Sequence, residues 1–360
     1  MEKSSYEYNE LRDCVFKILR RLDDGVITAG ARVLIKPNLL THASPESAIT
    51  THPLIIRAAA EYAIEKGALV QVSDSPAMGK FPHIVKECGV EEALKGMPVK
   101  LAPFERSAAV KTASSFKEIE LAEDALQADV VINLPKLKTH TQMGLTLAVK
   151  NLFGCVVGAG KPDWHFKIGR DAARFAELLA AIYGAIKPRI NLMDGILAME
   201  GNGPGTGGKP RHIGVLMGSA NAVSLDMAVC EMLGAAPLAT NEAARRLGLS
   251  EEYEAVGKMP QVGGFVFPRT SNIVFGPAFT GDILRRHLTS RPVSDQTSCR
   301  LCNECINICP AKAIENDGSR LDFDYDKCIR CYCCIEVCPH AAIKVHEPLV
   351  RKAVKRFLRK

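Results

Sequence analysis

The chain lacks any apolar run of about 18 residues, so it holds no helix able to cross a bilayer. Its first residues, MEKSSYEYNELRD, contain no apolar stretch, so no secretory signal is expected there. A strong charge excess is also missing. The formal charge is +6, but residues 347–360 alone hold six Lys or Arg and one Glu; without them 40 basic side chains face 39 acidic ones. A body so near neutrality argues against a nucleic-acid surface. Two nucleotide signatures are absent as well. No G-x-G-x-x-G opens a helix after the first strand, which removes a Rossmann dinucleotide site. Gly203 to Pro210 comes close to a P-loop with G-x4-G-K, but Pro210 stands where Ser or Thr would hold magnesium, and a strand rather than a helix is expected to follow.

What is present is an ordinary globular composition, 47% apolar and 24% charged over 360 residues, which suggests roughly two domains. Thirteen cysteines are distributed very unevenly: nine lie between Cys299 and Cys338, and eight of these form two matching runs. They read Cys299-x2-Cys302-x2-Cys305-x3-Cys309-Pro310, and after a gap of 18 residues Cys328-x2-Cys331-x2-Cys334-x3-Cys338-Pro339. The spacing is that of thiolates around iron–sulfur cubes, not of disulfides. Two [4Fe–4S] clusters are expected, in a reducing and hence cytoplasmic compartment. By the rule that the fourth cysteine of each run serves the other cube, Cys299, Cys302, Cys305 and Cys338 hold one cluster, and Cys328, Cys331, Cys334 and Cys309 the other. Cys333 fits neither interval and reads as a small residue beside a cluster; Cys14, Cys88, Cys155 and Cys230 read as inert.

Upstream, short apolar strands alternate with amphipathic helices. Strands are expected at residues 32–35, 69–72, 129–134, 190–193 and 212–217, with helices at 8–22, 53–67, 145–153, 171–185 and 222–233. The pattern predicts an α/β fold, a mostly parallel sheet covered by helices, with a small α+β ferredoxin-like domain at the C-terminus. The expected division is an α/β domain at 1–257, a connecting region at 258–290 that adds a strand at 264–267, a two-cluster domain at 291–346 and a basic helical tail at 347–360. The segments Ala313–Glu315 and Ala342–Val345 read as small strands that pair with each other. The tail could touch an acidic membrane surface or partner.

Ligands of open α/β sheets bind beyond the carboxyl ends of the strands. Lys36, Asn38, Asp74, Lys136, Lys138, His140 and Asp194 all fall at such ends, the three from Lys136 to His140 in what reads as a polar loop, Pro135–His140. Lys136, Lys138, His140 and Lys150 together would form a cationic pocket for a carboxylate or phosphate, although each lysine taken singly reads as a solvated surface charge. His140, His165 and Asp194 are the candidate proton carriers, and Trp164 could pack on a flat ligand.

Residues 290–346 resemble the bacterial two-cluster ferredoxins. Lys36-Pro37-Asn38, the segment Pro135-Lys136-Leu137-Lys138-Thr139-His140, Lys150-Asn151, Asp194-Gly195, Glu200-Gly201-Asn202-Gly203-Pro204 and Ser224-Leu225-Asp226 resemble the family called DUF362, over roughly residues 30–235. The resemblance adds Asn151 and Asp226 to the ligand-binding candidates and implies an iron–sulfur redox setting, without supplying a substrate. The expectation is an iron–sulfur oxidoreductase that passes electrons between its clusters and an anionic or conjugated ligand, or else a non-catalytic electron-transfer subunit for a partner enzyme. The redox partner is a protein or a small-molecule acceptor. A flavin or other organic cofactor would join one-electron to two-electron chemistry, but no flavin fingerprint is present.

Overall fold

A computed structural model describes residues 2–3, 5–158, 160–257, 259–268 and 290–346. Most of the expected connecting region and the whole basic tail lie outside the described residues. Among the described residues no helix is long and apolar enough to cross a membrane.

The architecture follows from strands that are apolar on both faces and so need cover on both. In chain order the strands are β1 (Glu2–Lys3), β2 (Arg32–Pro37), β3 (Leu69–Val72), β4 (Val99–Leu101), β5 (Ser107–Lys111), β6 (Glu118–Ala122), β7 (Val130–Leu134), β8 (Lys136–His140), β9 (Gly144–Thr146), β10 (Ile190–Gly201) and β11 (Gly208–Ser219). The main sheet runs β1-β11-β10-β7-β2-β3-β4. From β4 to β10 it is parallel; β11 and β1 close one side antiparallel. Helices α1 (Tyr8–Asp23) and α2 (Pro53–Glu65) cover one face with Leu11, Val15, Ile55 and Ile56. The other face is covered by later helices. After α3 (Phe81–Glu87), α4 (Val90–Ala93), α5 (Glu123–Gln127), α6 (Ala148–Asn151) and α7 (Gly160–Ile168) come α8 (Ala172–Ile186) and α9 (Ala222–Met232), which bury Phe175, Leu178 and Val223. Each such side chain contributes about 2 kcal/mol. Helix starts are capped as their sequences suggest: Asp171 accepts from Arg174 N, and Asn221 from Val223 N and Ser224 N.

Five expectations need correction. The segment expected as a polar loop, Pro135–His140, is strand β8, buried at all five positions. It pairs with the outer half of β10, beyond the point where β7 stops, because β10 is twelve residues long. The helix expected at 145–153 begins only at Ala148, its first residues forming β9 against β8. The strand expected at 212–217 is the longer β11, antiparallel to β10 across the glycine-rich turn. No strand forms at 264–267; that segment joins the sheet edge by single bonds such as Gly201 N to Val266 O, 2.6 Å. In the C-terminal module β12 (Arg291–Ser294) pairs with β15 (Ile343–His346), and β13 (Ile314–Asn316) with β14 (Leu321–Phe323), so the two expected strands each find a different partner. Helix α10 (Ala239–Arg246) precedes this module, and α11 (Glu304–Asn307) and α12 (Cys333–Val337) lie within its cysteine runs.

Candidate functional site

On a strand, residues two apart share a face, so β8 directs Lys136, Lys138 and His140 to one side. All three are at most 1% exposed. A buried ammonium is tolerated only with acceptors around it. Lys136 Nζ bonds Asp194 Oδ2 at 2.7 Å and the Tyr6 hydroxyl at 3.1 Å. Asp194 also accepts from Tyr6 and His52 N, and Tyr6 stacks on His52 with centroids 3.6 Å apart. Lys138 Nζ donates to Asn38 Oδ1 at 2.7 Å and to Ile49 O at 2.6 Å. His140 Nδ1 accepts from the backbone N–H groups of Gln142 and Met143. The neutral ring therefore carries its proton on Nε2, which lies 2.9 Å from Oε1 of Glu336 in the cysteine module. The approach is off the line of a hydrogen bond, so the contact is mainly electrostatic.

Lys138 and His140 open onto a cavity of about 360 Å³, within the range of small-molecule sites. Lys36, Asn38, Asp74, Lys150, Asn151, Lys161 and His165 line it from the α/β domain; Ile308, Cys333, Glu336 and Val337 close it from the cysteine module. Lys36 Nζ is paired with Asp74 Oδ1 at 2.9 Å. Lys161 Nζ bonds the carbonyl of Ser75. Asn38 and Asn151 are tied to each other at 2.9 Å, and Asn151 to Asn133 at 2.8 Å. Lys150 is different: its ammonium makes no hydrogen bond or close ion pair to a described residue, Glu336 is the charged group that acts on it most, and it faces the cavity.

Burial controls the proton affinities here. It lowers His140 to about 4, helped by Lys150 and opposed by Glu336. It lowers His165 to about 4 and Lys161 to about 8, and it lowers Lys150 as well. For Glu336 burial acts upward, but His140, Lys150 and His165 together outweigh it and hold the carboxyl at about 2. Both imidazoles are thus neutral near pH 7 and Glu336 is charged.

Of the residues singled out from the sequence, Lys36, Asn38, Asp74, Lys138, His140, Lys150, Asn151 and His165 come together around this cavity. Lys136 and Asp194 do not line it; they form the closed pair with Tyr6 and His52. Asp226 caps the start of α6, accepting from Ala148 N at 2.7 Å and Val149 N at 3.1 Å. Trp164 packs edge-on against Phe116 and does not line the cavity. Lys161 and Glu336 were not legible. Lys161 sits in a segment without a motif, and Glu336 is concealed among thiols two residues from Cys334 and Cys338.

The cysteine module fits iron–sulfur cubes. A small cavity is lined by Cys309, Cys328, Cys331 and Cys334, the crossed set read from the sequence, together with Cys333. Cys305 has Cys338, Cys302 and Cys299 as its charge neighbours, which is the other set. No three His, Cys, Asp or Glu among the described residues converge as a single metal ion would need; thiolates around a cube, one per iron, do not converge that way. The backbone is duplicated with a shift of 29 residues. Leu301, Asn303 and Lys312 in the first run, and Arg330, Tyr332 and Ala341 in the second, all have positive φ between 47° and 64°. Such a conformation costs a non-glycine residue about 1 kcal/mol or more, and its recurrence at matching positions points to one shape wrapped twice. Cys309 Sγ accepts from Ala313 N, and Cys338 Sγ from Ala342 N, at 3.3 and 3.2 Å.

Residues 291–339 match the family described as a 4Fe-4S dicluster domain, and residues 33–231 match the one described as Domain of unknown function (DUF362). A thylakoid-associated protein of Synechocystis sp. is 38% identical over 254 residues, covering 69% of this chain and 79% of that one. Among solved structures the lactate racemase apoprotein of Thermoanaerobacterium thermosaccharolyticum matches with a TM-score of 0.39 and 14% identity, over 61% of this chain and 54% of that one. The protein thus has an iron–sulfur electron-transfer role, and the chain belongs to the DUF362 family.

Proposed function

We propose that the cavity binds a small anionic or conjugated ligand, and that this ligand exchanges electrons with two [4Fe–4S] clusters held by Cys299, Cys302, Cys305 and Cys338 and by Cys309, Cys328, Cys331 and Cys334. The observation that carries this reading is the shared wall: α12, which holds the ligand cysteine Cys334, also supplies Cys333, Glu336 and Val337 to the cavity. Electron donor and ligand are therefore in contact across one helix. When bound, the clusters supply one electron at a time.

The chain's own residues do the rest. Lys150, whose ammonium makes no hydrogen bond to a described residue, meets the ligand's negative charge; Lys36, Lys138 and Asn38 hold fixed positions around it. Lys161, at about 8, is poised to give up a proton near neutral pH. His140, kept neutral with its proton on Nε2, orients Glu336. Asp194, expected as a proton carrier, has its oxygens committed to Lys136, Tyr6 and His52. The redox partner is proposed to be a protein or small-molecule acceptor, and the compartment cytoplasmic. The Synechocystis relative's thylakoid association allows a peripheral place on a membrane.

The test is calorimetry with inorganic phosphate and short carboxylates on the reconstituted full chain. Lys150→Met should weaken binding at least tenfold and change thermal stability little, since the Lys150 ammonium makes no hydrogen bond to a described residue. Binding equal to that of the wild type would remove the cavity as the ligand site and leave the non-catalytic electron-transfer subunit.

A further inference from the structure

The two cysteine runs keep their 29-residue correspondence in ligands, left-handed residues and N–H···S bonds, but not in charge. Between the first two cysteines of the first run stand Arg300, which is exposed, and Leu301; at the matching places in the second stand Ile329 and Arg330, which is partly buried. Nε and Nη2 of Arg330 are buried without a hydrogen-bond partner, and Arg330 makes no ion pair to a described residue. The charged and titratable groups that act on it are Arg170, Tyr332, Cys328 and Arg291, with no carboxylate among them. Arg170 comes from the turn between α7 and α8. It donates through Nη2 and Nε to the carbonyl of Cys328 at 2.8 and 3.1 Å, and through Nη2 to that of Tyr325 at 3.3 Å. Like charges gathered at a half-buried place are unfavourable unless an anion lies among them. Arg330 lines the small cavity shared by Cys309, Cys328, Cys331 and Cys334.

A cube held by four thiolates is anionic in both oxidation states, and more so when reduced. Nearby cations and hydrogen bonds therefore favour the reduced form and raise its potential. We propose that Arg330 and Arg170 are the counter-charge of the cluster held by Cys309, Cys328, Cys331 and Cys334, that they set its potential above that of its twin, and that electrons consequently run inward, making the cavity ligand an electron acceptor. The last clause rests on the cavity reading above. Burial and the charged Glu336, which acts on Cys331, work the other way: Cys328, Cys331 and Cys334 are buried, whereas Cys302 is exposed. The guanidiniums prevail because the same low dielectric that disfavours added negative charge strengthens its attraction to a cation at contact. The exposed side at Cys302 is then the entry point. A one-electron carrier protein is oxidised there by one electron, the outer cluster passes that electron to the inner one, and the cavity ligand is finally reduced.

Redox titration of the reconstituted full chain, followed by EPR without any cavity ligand, tests this. The wild type should show two separated midpoints. Arg330→Leu should lower the higher one to the other or below it and leave the lower unmoved; Arg170→Gln should lower it less; Arg330→Lys should restore most of the gap. Leu301→Arg should raise the lower midpoint, and it decides the matter alone if Arg330→Leu fails to hold iron. If Arg330→Leu moves neither midpoint or only the lower one, or Leu301→Arg moves none, the proposal is overturned. That failure would leave the cavity reading standing, because anion binding is measured separately through Lys150.

Discussion

A lysine taken out of water must find acceptors or lose its proton, and this chain buries several. Lys136 and Asp194 are each wholly buried and 2.7 Å apart. Removing one partner leaves a charge or its donors stranded, so Lys136→Met or Asp194→Asn should each cost about 3 kcal/mol in urea unfolding. The double variant should cost clearly less than their sum, and strict additivity would show that the pair is not coupled. Asp226 gives a pH signature. Burial raises it to about 7 from 3.8, against the pull of two helix N–H groups. The unfolded chain releases this proton near pH 4 and the folded chain near pH 7, so the folded state binds more protons between them. Stability should therefore fall as pH rises from about 4 to about 7 and level off above that. Unfolding measured across this range should lose that slope in Asp226→Asn. These roles could not be read from residue type alone: a lysine in sequence is most simply a surface charge, and only the acceptors, brought from far along the chain, make it an interior one.

Elements were more legible than their pairings. Helices α1, α2, α8 and α9 and the strands β2, β3 and β7 are marked by periodicity and by proline and glycine at their ends, because local physics alone decides them. Strand β8 was hidden. Lys-x-Lys-x-His carries the alternation of a strand, but with cations where apolar residues are expected, so the pattern reads as a loop. The hairpin β5–β6 was missed for another reason: β6 alternates cleanly, but β5 is short and alanine-rich and the turn between them has no glycine. The cavity wall opposite β8 depends on Gly154. A Cβ there would collide with the Asp74 carboxylate and the Lys36 ammonium. Gly154→Ala should therefore displace that ion pair and weaken anion binding several-fold in the same calorimetric assay, while helical circular dichroism stays as in the wild type.

At the scale of the whole molecule, the hydrogen bonds and the ion pair that join the cysteine module to the α/β domain among the described residues fall on the second run and on Tyr325 just before it. Thr206 Oγ1 donates to Cys338 O at 2.6 Å, Arg170 binds Cys328 O, and Glu336 meets His140. Gly205 permits this approach, since a Cβ there would lie 2.5 Å from the Glu336 carbonyl. Gly205→Ala should push the module outward. Limited proteolysis should then cut between the two regions faster than in the wild type, and added anions should no longer perturb the EPR signal. Unchanged cleavage and an unchanged anion effect would show that the contact is dispensable. The module itself was legible because thiolate spacing is a nearly one-dimensional code; its docking was not, since a carbonyl, a hydroxyl and one carboxylate carry no motif.

Helix α12 is five residues long, holds Cys334 and ends at Cys338, both proposed as cluster ligands. So short a helix has no stability of its own, and its shape is borrowed from the metal on either side. The wall it gives to the cavity is borrowed too. Iron supply and ligand affinity are thereby linked: a chain starved of iron loses one side of its binding site before it loses its sheet. On the proposed function, the protein would take up its ligand only once it had the means to exchange electrons with it.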